Sequence, residues 1–361
     1  MERFGLVGLP NAGKSSLYNA LTSGNALAAP YAFATKDPNI GVATVPDHRL
    51  VALAEMSKSR KVVHAQVEVV DIGGLVEGAS KGEGLGNRFL ANIREVDALV
   101  FVLRAFADGD VPGPDDPLEH LRVVEIELAL ADLETVEKQA SRVTKATRMD
   151  KSLVDDADAL NAALKALSDG RPLYRGGLSE HQREVLKPYF LLTNKPVLAV
   201  VNVGEDELDV VDARVAPVKA EFAALGDEVE IIGICVQLEA EAAQLDGEDR
   251  REMLEGLGLG DGALPRTVQA AYHLLGLRTF LTTGEDESRA WTFREGSKAP
   301  VCAGRIHSDL QRGFIRAEVI YWDELLGIGS WNKAKDVGKL RVEGKEYVVQ
   351  DGDVLEIRFN V

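Results

Sequence analysis

The sequence predicts an α/β protein with a helical insertion and a smaller α+β domain at its C-terminal end. Three observations support this fold class. A short apolar strand, a glycine loop and a helix follow one another at the N-terminus. Apolar strands and helical stretches alternate through most of the chain, and closely spaced strands replace them near the end. With 361 residues, the chain is long enough for two or three domains.

The first element is the loop from Gly8 to Ser15. Its letters, GLPNAGKS, match the pattern G-x-x-x-x-G-K-[S/T], and they lie between the apolar strand FGLVG and the helical stretch SSLYNALTSG. The glycines let such a loop curl around an anion, while backbone N–H groups and the helix N-terminus face the anion's oxygens. The loop therefore predicts a P-loop NTPase domain. A tight strand-to-helix turn is the alternative, which the eight matching positions disfavour.

The loop residues have different predicted roles. Lys14 is expected to bridge the β- and γ-phosphates of a nucleotide, and the Ser15 hydroxyl is expected to ligate Mg²⁺. The amide of Asn11 can ligate a monovalent cation such as K⁺ against the phosphates, or it can only brace the loop, and both interpretations stay open. The predicted nucleotide-binding residues of the loop are Asn11, Ala12, Gly13, Lys14, Ser15 and Ser16.

A second phosphate-sensing element follows the β-branched strand that ends at Asp71. Asp71 and Gly74 form an Asp-x-x-Gly motif, in which Asp71 holds the Mg²⁺ shell through water and the Gly74 amide reaches the γ-phosphate. A threonine before this motif should complete the metal site, and Thr35 and Thr44 both qualify by position. Leu75 occupies the place of the Gln that orients the attacking water in common GTPases. Hydrolysis is therefore expected to be slow or to use a water-positioning group from elsewhere.

The base-reading residues are predicted from the strand PVLAVV, residues 196–201. Ligands of a parallel α/β sheet lie beyond the carboxyl ends of its strands. Asn194 precedes this strand and Asn202 follows it, so the reader is expected to be the NVGE stretch with Asn202, Val203 and Glu205. A cap on the acidic helix that follows is the alternative role for Asn202 and Glu205.

The same motif favours adenine over guanine. In guanine-specific proteins, the Asp of an Asn-Lys-x-Asp motif accepts hydrogen bonds from two N–H groups of guanine. Glu205 is one methylene longer than that Asp, and Val203 replaces the Lys. Because a buried donor pair without its acceptor costs several kcal/mol, we expect guanine preference to be lost or inverted.

An insertion interrupts the α/β alternation from about Pro117 to Lys187. Apolar residues at helical spacing predict two long antiparallel helices there. Basic residues near the expected tip of the pair form either a solvated face or a nucleic-acid contact: Lys138, Arg142, Lys145, Arg148 and Lys151. The predicted domains are the nucleotide-binding domain (residues 1–117 and 188–277), the helical insertion (118–187) and the α+β domain (278–361).

Composition limits the remaining possibilities. No apolar stretch is long enough for a signal peptide or a membrane span, so we expect a cytoplasmic protein without membrane contact, and we expect a monomer. Cys235 and Cys302 lie far apart in the sequence and are expected to be reduced core thiols rather than metal ligands. The net charge of −17 argues against a surface that coats nucleic acid indiscriminately.

Taken together, these motifs resemble the YchF/Obg-like ATPase family of translation-factor-class P-loop proteins. The resemblance covers essentially the whole chain and rests on GLPNAGKSSLYNALT, FATKDPNIG, GEGLGNRFLANIREVDALVFVLRAF, KPVLAVVNVGED, AWTFREGSKAP, IHSDLQRGFIRAEVI and VQDGDVLEIRFNV. It implies ATP as the nucleotide, through the Asn-x-x-Glu motif of Asn202 and Glu205. It also implies Thr35 as the switch threonine, Leu75 as the replacement of the catalytic Gln, and a β-grasp-like TGS domain at residues 278–361. Finally, it implies ribosome association through the insertion and the TGS domain.

Two positions depart from the family pattern. Ser80 stands where the family often has His, so a mechanism based on that His loses its residue here. Gly73 stands where Ala is usual, which loosens the turn between Asp71 and Gly74.

The sequence thus predicts a Mg²⁺-dependent, ribosome-associated switch that slowly hydrolyses ATP to ADP and phosphate. Its predicted metal ligands are Ser15 and Thr35, and its predicted catalytic residues are Lys14, Thr35, Asp71 and Gly74. A GTPase of the same fold is one alternative. An RNA- or ribosome-binding regulator in which hydrolysis is incidental is the other.

Overall fold

The computed structural model describes residues 2–22, 39–73, 85–107, 114–224 and 229–360. Within these ranges the strands are β1 (Arg3–Val7), β2 (Asn39–Val45), β3 (Val62–Val63), β4 (Ala65–Asp71), β5 (Ala98–Arg104), β6 (Val197–Asn202), β7 (Ile231–Ile234), β8 (Leu277–Thr282), β9 (Ser288–Arg294), β10 (Phe314–Tyr321), β11 (Arg341–Glu343) and β12 (Asp353–Phe359). The α-helices are α1 (Lys14–Thr22), α2 (His48–Ser57), α3 (Leu85–Arg94), α4 (Pro117–Ala146), α5 (Val154–Ser168), α6 (Glu180–Leu186), α7 (Val211–Ala223), α8 (Val236–Ala242), α9 (Gly247–Gly256), α10 (Leu264–Leu274), α11 (Ala299–Ile306), α12 (Ser308–Arg312), α13 (Trp322–Ile328) and α14 (Trp331–Asp336).

The chain divides into two compact units. The first comprises Met1–Ala43 and Glu68–Leu275, and the second comprises Thr44–Val67 and Gly276–Val361. The sequence-based boundaries assign residues 44–67 to the nucleotide-binding domain, whereas in the structure these residues belong to the second unit. They belong to the second unit because β3 pairs with β9 and α2 packs against the same strand.

A sheet of strand order β2-β4-β1-β5-β6-β7 forms the centre of the first unit. The pairs from β4 through β1, β5 and β6 to β7 are all parallel, which confirms the predicted α/β class. Every residue of β5 and β6 is buried, as expected for a parallel sheet that is covered on both faces. Because the strands are parallel, the segments that follow β1, β4, β5 and β6 begin at the same edge of the sheet.

The two helices predicted for the insertion are α4 and α5, and α4 has two different neighbours along its length. Leu121, Val124 and Leu128 of its first half are buried in the core of the nucleotide-binding sheet. Val136 of its second half packs in a separate core with Leu160 of α5. The first turns of α4 are thus part of the sheet domain, and the packing against α5 begins at Ala129.

The second unit has its own sheet, of order β11-β10-β12-β8-β9-β3. β8 and β9 form an antiparallel pair, and the terminal strand β12 lies parallel to β8 and antiparallel to β10. α11 packs on this sheet through Cys302, in a core that includes Phe280 and Phe293. This arrangement confirms the predicted α+β character.

Both cysteines are free and buried, which confirms the prediction of core thiols. Burial raises the pKa of the Cys302 thiol to about 12 and also raises the pKa of Cys235. Across the described ranges, no group of three or more His, Cys, Asp or Glu residues is arranged to hold a metal ion. No helix in that part of the chain is both long and apolar enough to cross a bilayer.

Candidate nucleotide-binding site

The loop between β1 and α1 is shaped by its glycines and by Asn11. Gly13 has φ +96° and Asn11 has φ +62°, in the left-handed region that Gly and Asn tolerate best. A Cβ on Gly8 would overlap the carbonyl oxygen of Val102, and a Cβ on Gly13 would overlap the side-chain amide of Asn202. Gly8 is therefore required by the close approach of Val102. Gly13 is required both by the close approach of Asn202 and by its backbone conformation.

Lys14 lies at the start of α1 and is only 6% exposed. Its ammonium donates a hydrogen bond of 2.7 Å to the carbonyl oxygen of Leu9, so it is folded back over the loop. Burial lowers the pKa of Lys14 to about 8, although the negative charge of Asp71 acts in the opposite direction. An anion bound in the loop would favour the charged form, since it would replace the solvation that the lysine has lost.

Ser15 and Asp71 lie together, as predicted, although 56 positions separate them in the sequence. The Ser15 hydroxyl donates a hydrogen bond of 2.8 Å to Asp71 Oδ2. Asp71 Oδ1 is buried and has no hydrogen-bond partner among the described residues. A hydroxyl and a carboxylate oxygen are the hard donors that Mg²⁺ prefers, so these two residues fit a magnesium ion.

Asn202 joins the phosphate loop to the start of α8. Its Nδ2 donates to the carbonyl oxygen of Ala12 at 3.1 Å, and its Oδ1 accepts from the backbone N–H of Val236 at 3.1 Å. Asn194, by contrast, exchanges hydrogen bonds with Arg183 at the other end of β6. The structure therefore confirms that Asn202, and not Asn194, lies at the carboxyl edge of the sheet. The side-chain amide of Asn202 therefore retains one hydrogen on Nδ2 and one lone pair on Oδ1 for a ligand.

A cavity of about 500 Å³ connects the phosphate loop with the end of β6. Its lining includes six predicted nucleotide-binding residues: Asn11, Gly13, Ser16, Asn202, Val203 and Glu205. The other three predicted residues of the loop, Ala12, Lys14 and Ser15, are not among the lining residues, and Ala12 is fully buried. Phosphate-binding and base-reading residues thus surround one space.

Phe106 and Gln237 also line this cavity. Gln237 lies in the first turn of α8, directly after β7 and Cys235. Phe106 is absent from the sequence-based site. Phe106 follows the carboxyl end of β5, just as Asn202 ends β6, so the same rule about strand ends could have identified it. An aromatic residue after an apolar strand, however, is usually interpreted as part of the core.

Val203 and Glu205 take different positions at the cavity. Val203 is 2% exposed, whereas Glu205 is exposed at the first position of a short 3-10 helix. The acidic side chain that folds back onto the helix start is Glu207, which accepts from the N–H of Gly204 at 3.4 Å. Glu207, rather than Glu205 or Asn202, therefore caps this helix. The Asn202 side chain instead binds the backbone of Ala12 and Val236.

Several predicted residues lie outside the described ranges: Thr35, Gly74, Leu75 and Ser80. Their roles stay predictions. Thr44, the other candidate for the metal threonine, lies half-buried in β2.

Comparisons with known proteins identify the family of the chain. A family model described as a 50S ribosome-binding GTPase matches residues 3–142. A model of the C-terminal region of YchF GTPases, described as a protein of unknown function, matches residues 277–360.

Whole-chain relatives are more informative. The chain is 48% identical to the "Ribosome-binding ATPase YchF" of Bacillus subtilis and 44% identical to that of Haemophilus influenzae, with 99% of both chains covered in each case. The solved structure of the Schizosaccharomyces pombe YchF GTPase is 32% identical and superposes with a TM-score of 0.85, covering 99% of this chain and 97% of that one. Identity at this level over the full length shows common descent, and the chain belongs to the YchF family.

Proposed function

We propose that the chain binds ATP together with Mg²⁺, hydrolyses it slowly to ADP and phosphate, and acts as a ribosome-associated switch. The observation that carries this proposal is the single cavity between Gly13 and Ser16 of the phosphate loop and Asn202 to Glu205 of the base-reading segment. The relatives named ribosome-binding ATPases support the same function.

The phosphate end would work through Lys14, Ser15 and Asp71. Lys14 would place its charge on the β- and γ-phosphates, and the N–H groups at the start of α1 would donate to their oxygens. Ser15 and Asp71 would hold Mg²⁺, Asp71 through water. When bound, this ion neutralises charge that develops on the phosphate oxygens.

The base end would distinguish adenine from guanine. Asn202 has one amide hydrogen and one lone pair beyond its bonds to Ala12 and Val236, which suit the N7 and 6-amino groups of adenine. Val203 offers an apolar wall, and Glu205 stands at the exposed mouth of the cavity. Guanine would need an acceptor at the shorter reach of an Asp, so we propose ATP rather than GTP.

Calorimetric titration with non-hydrolysable ATP and GTP analogues plus Mg²⁺ tests this proposal. We expect the ATP analogue to bind at least about tenfold more tightly, which corresponds to one net hydrogen bond. Glu205→Asp should narrow the difference between the ATP and GTP affinities, because the shorter carboxylate suits the two guanine donors. Glu180→Asp, the same change at an exposed position of α6 outside the cavity, should leave both affinities unchanged. Equal or GTP-selective binding by the unaltered chain would contradict the base reading and favour a GTPase.

Slow turnover follows from the predicted replacement of the catalytic Gln by Leu75. The switch threonine Thr35 and the Gly74 amide would complete the catalytic groups. The exposed Asn11 could also ligate K⁺ against the phosphates, although its left-handed backbone alone explains an Asn at this position. Equal rates of hydrolysis in K⁺ and Na⁺ buffers would exclude a role for K⁺.

Ribosome contact would involve the helical insertion and the C-terminal domain. The basic residues near the end of α4 are all exposed: Lys138, Arg142, Lys145, Arg148 and Lys151. Lys138 pairs with Glu134 on its own helix, so its charge is partly neutralised. We propose that the other four contact RNA phosphates.

Removing three of these charges tests the contact. Combined Arg142→Gln, Lys145→Gln and Arg148→Gln changes should weaken ribosome binding and reduce the slope of log affinity against log salt by about 2, since each phosphate contact contributes about 0.7 to 0.9. The matched control replaces three exposed basic residues outside the insertion and the C-terminal domain, Lys219, Arg251 and Arg266, by Gln. An unchanged slope would show that this basic surface does not contact the ribosome. Salt-dependent binding that ignores the nucleotide would favour a regulator in which hydrolysis is incidental.

The proposal also covers location and assembly. A ribosome-associated ATPase of this kind would act in the cytoplasm. Since one chain supplies both the phosphate loop and the base-reading residues, a monomer would suffice for activity, and sedimentation equilibrium would measure its mass.

A further inference from the structure

Arg104 is a buried arginine at the edge of the sheet where the candidate site lies. It is the last residue of β5 and is 2% exposed. Its backbone is in register with Asn202 of β6, and the N–H of Ala105 donates to the carbonyl oxygen of Asn202 at 2.8 Å. A guanidinium is costly to bury unless its donors are satisfied, so its partners indicate what the residue does.

The side chain of Arg104 holds Phe106 in two ways. Its Nε donates a hydrogen bond of 3.0 Å to the carbonyl oxygen of Phe106. Its guanidinium carbon lies 4.6 Å from the centre of the Phe106 ring, within the range of a cation–π contact. One side chain therefore fixes both the backbone and the ring of Phe106.

The histidine next to Arg104 is hydrogen-bonded to the Arg104 backbone. His120 Nδ1 accepts from the backbone N–H of Arg104 at 3.5 Å, and its Nε2 donates to the carbonyl oxygen of Pro114 at 2.8 Å. Burial lowers the pKa of His120, and the charge of Arg104 lowers it further. Arg104 thus supplies the positive charge of the contact with Phe106. Its backbone is linked to α4 through His120.

Phe106 is half-buried and lines the cavity beside Asn202 and Val203. With one side of its ring held by Arg104, it presents the remainder to the space where the base would lie. An aromatic ring contributes most to ligand binding when its conformation is set before the ligand arrives.

We propose that Arg104 is a positioning residue for base recognition, which holds Phe106 in place as a wall of the base pocket. The inference rests on the proposed nucleotide-binding function. It assigns Arg104 no contact with the phosphates, so the base and the phosphates of a nucleotide should respond differently when Arg104 is changed.

The test compares ATP with inorganic tripolyphosphate in the full chain. Arg104→Met keeps an unbranched side chain but removes the guanidinium. We expect its affinity for an ATP analogue to fall about tenfold, in the range for loss of one base-stacking contact, while tripolyphosphate affinity changes less than about twofold. Phe106→Leu should show a similar loss. The double variant should lose little more, because both changes remove one contact.

Arg175→Met is the matched control. Arg175 is also a buried arginine, at 8% exposure, and it lies over the ring of Phe222, but it does not line the cavity. We expect this variant to retain ATP affinity, although its thermal stability should fall because Glu125 loses its partner.

Three results would overturn the inference: unchanged ATP affinity in Arg104→Met, equal losses for ATP and tripolyphosphate, or additive losses for Arg104→Met and Phe106→Leu. If Arg104→Met does not fold, Arg104→Lys replaces it, since it keeps a cation but loses the Nε donor. We then expect a loss of about fivefold for ATP alone. If the unaltered chain binds tripolyphosphate but not ATP, the proposed function fails instead.

Discussion

Gly13→Ala should weaken binding of an ATP analogue by at least a factor of roughly one hundred, in calorimetric titrations with Mg²⁺. Two physical effects act together. Alanine at φ +96° is strained by about 1–2 kcal/mol, and its Cβ would overlap the Nδ2 atom of Asn202. Relieving that overlap requires Asn202 to give up its hydrogen bond to Ala12. The phosphate loop and the base-reading segment would therefore both be displaced.

Gly170→Ala separates strain from overlap. Gly170 has φ +75°, so alanine is strained there as well, but a Cβ at this position would have no atom within 4 Å. This variant should lose some thermal stability and bind ATP normally. If Gly13→Ala binds within about tenfold of the unaltered chain, the contact with Asn202 does not shape the loop.

Asn202→Ala should weaken ATP binding by roughly a hundredfold. The change leaves the buried carbonyl oxygen of Ala12 and the buried N–H of Val236 without a partner. Each such loss costs about 1–3 kcal/mol, and the two backbone groups belong to the phosphate loop and to the start of α8. The same calorimetric titration measures the effect. Tripolyphosphate affinity should fall as well, because Ala12 is part of the phosphate loop.

Asn194→Ala is the matched control for Asn202→Ala. Asn194 also uses its amide nitrogen to bind a backbone carbonyl, that of Arg183, at 2.9 Å. It lies before β6 rather than after it, so its loss should lower stability and leave nucleotide affinity unchanged. A strong loss of binding in this variant alone would show that TNKP, rather than NVGE, contains the base reader.

The phosphate loop was predictable because its chemistry is local. Gly8, Gly13, Lys14 and Ser15 lie within eight positions, and the strand before them and the helix after them are visible in the apolar pattern. The choice of Asn202 over Asn194 needed only one further rule, that ligands lie beyond the carboxyl ends of parallel strands. By itself, the sequence thus determined the fold class, the glycine loop between β1 and α1, and the sheet edge at which the proposed base reader Asn202 lies.

Only the tertiary structure decided which groups meet. Asn202 binds partners 190 and 34 positions away, and residues 44–67 join the second unit because β3 pairs with the distant β9. Arg104 and Phe106 look like the end of a core strand in the sequence, yet the guanidinium turns back onto the ring beside the cavity. Contacts of this kind leave no period in the sequence, because they depend on how distant strands and loops come together in space.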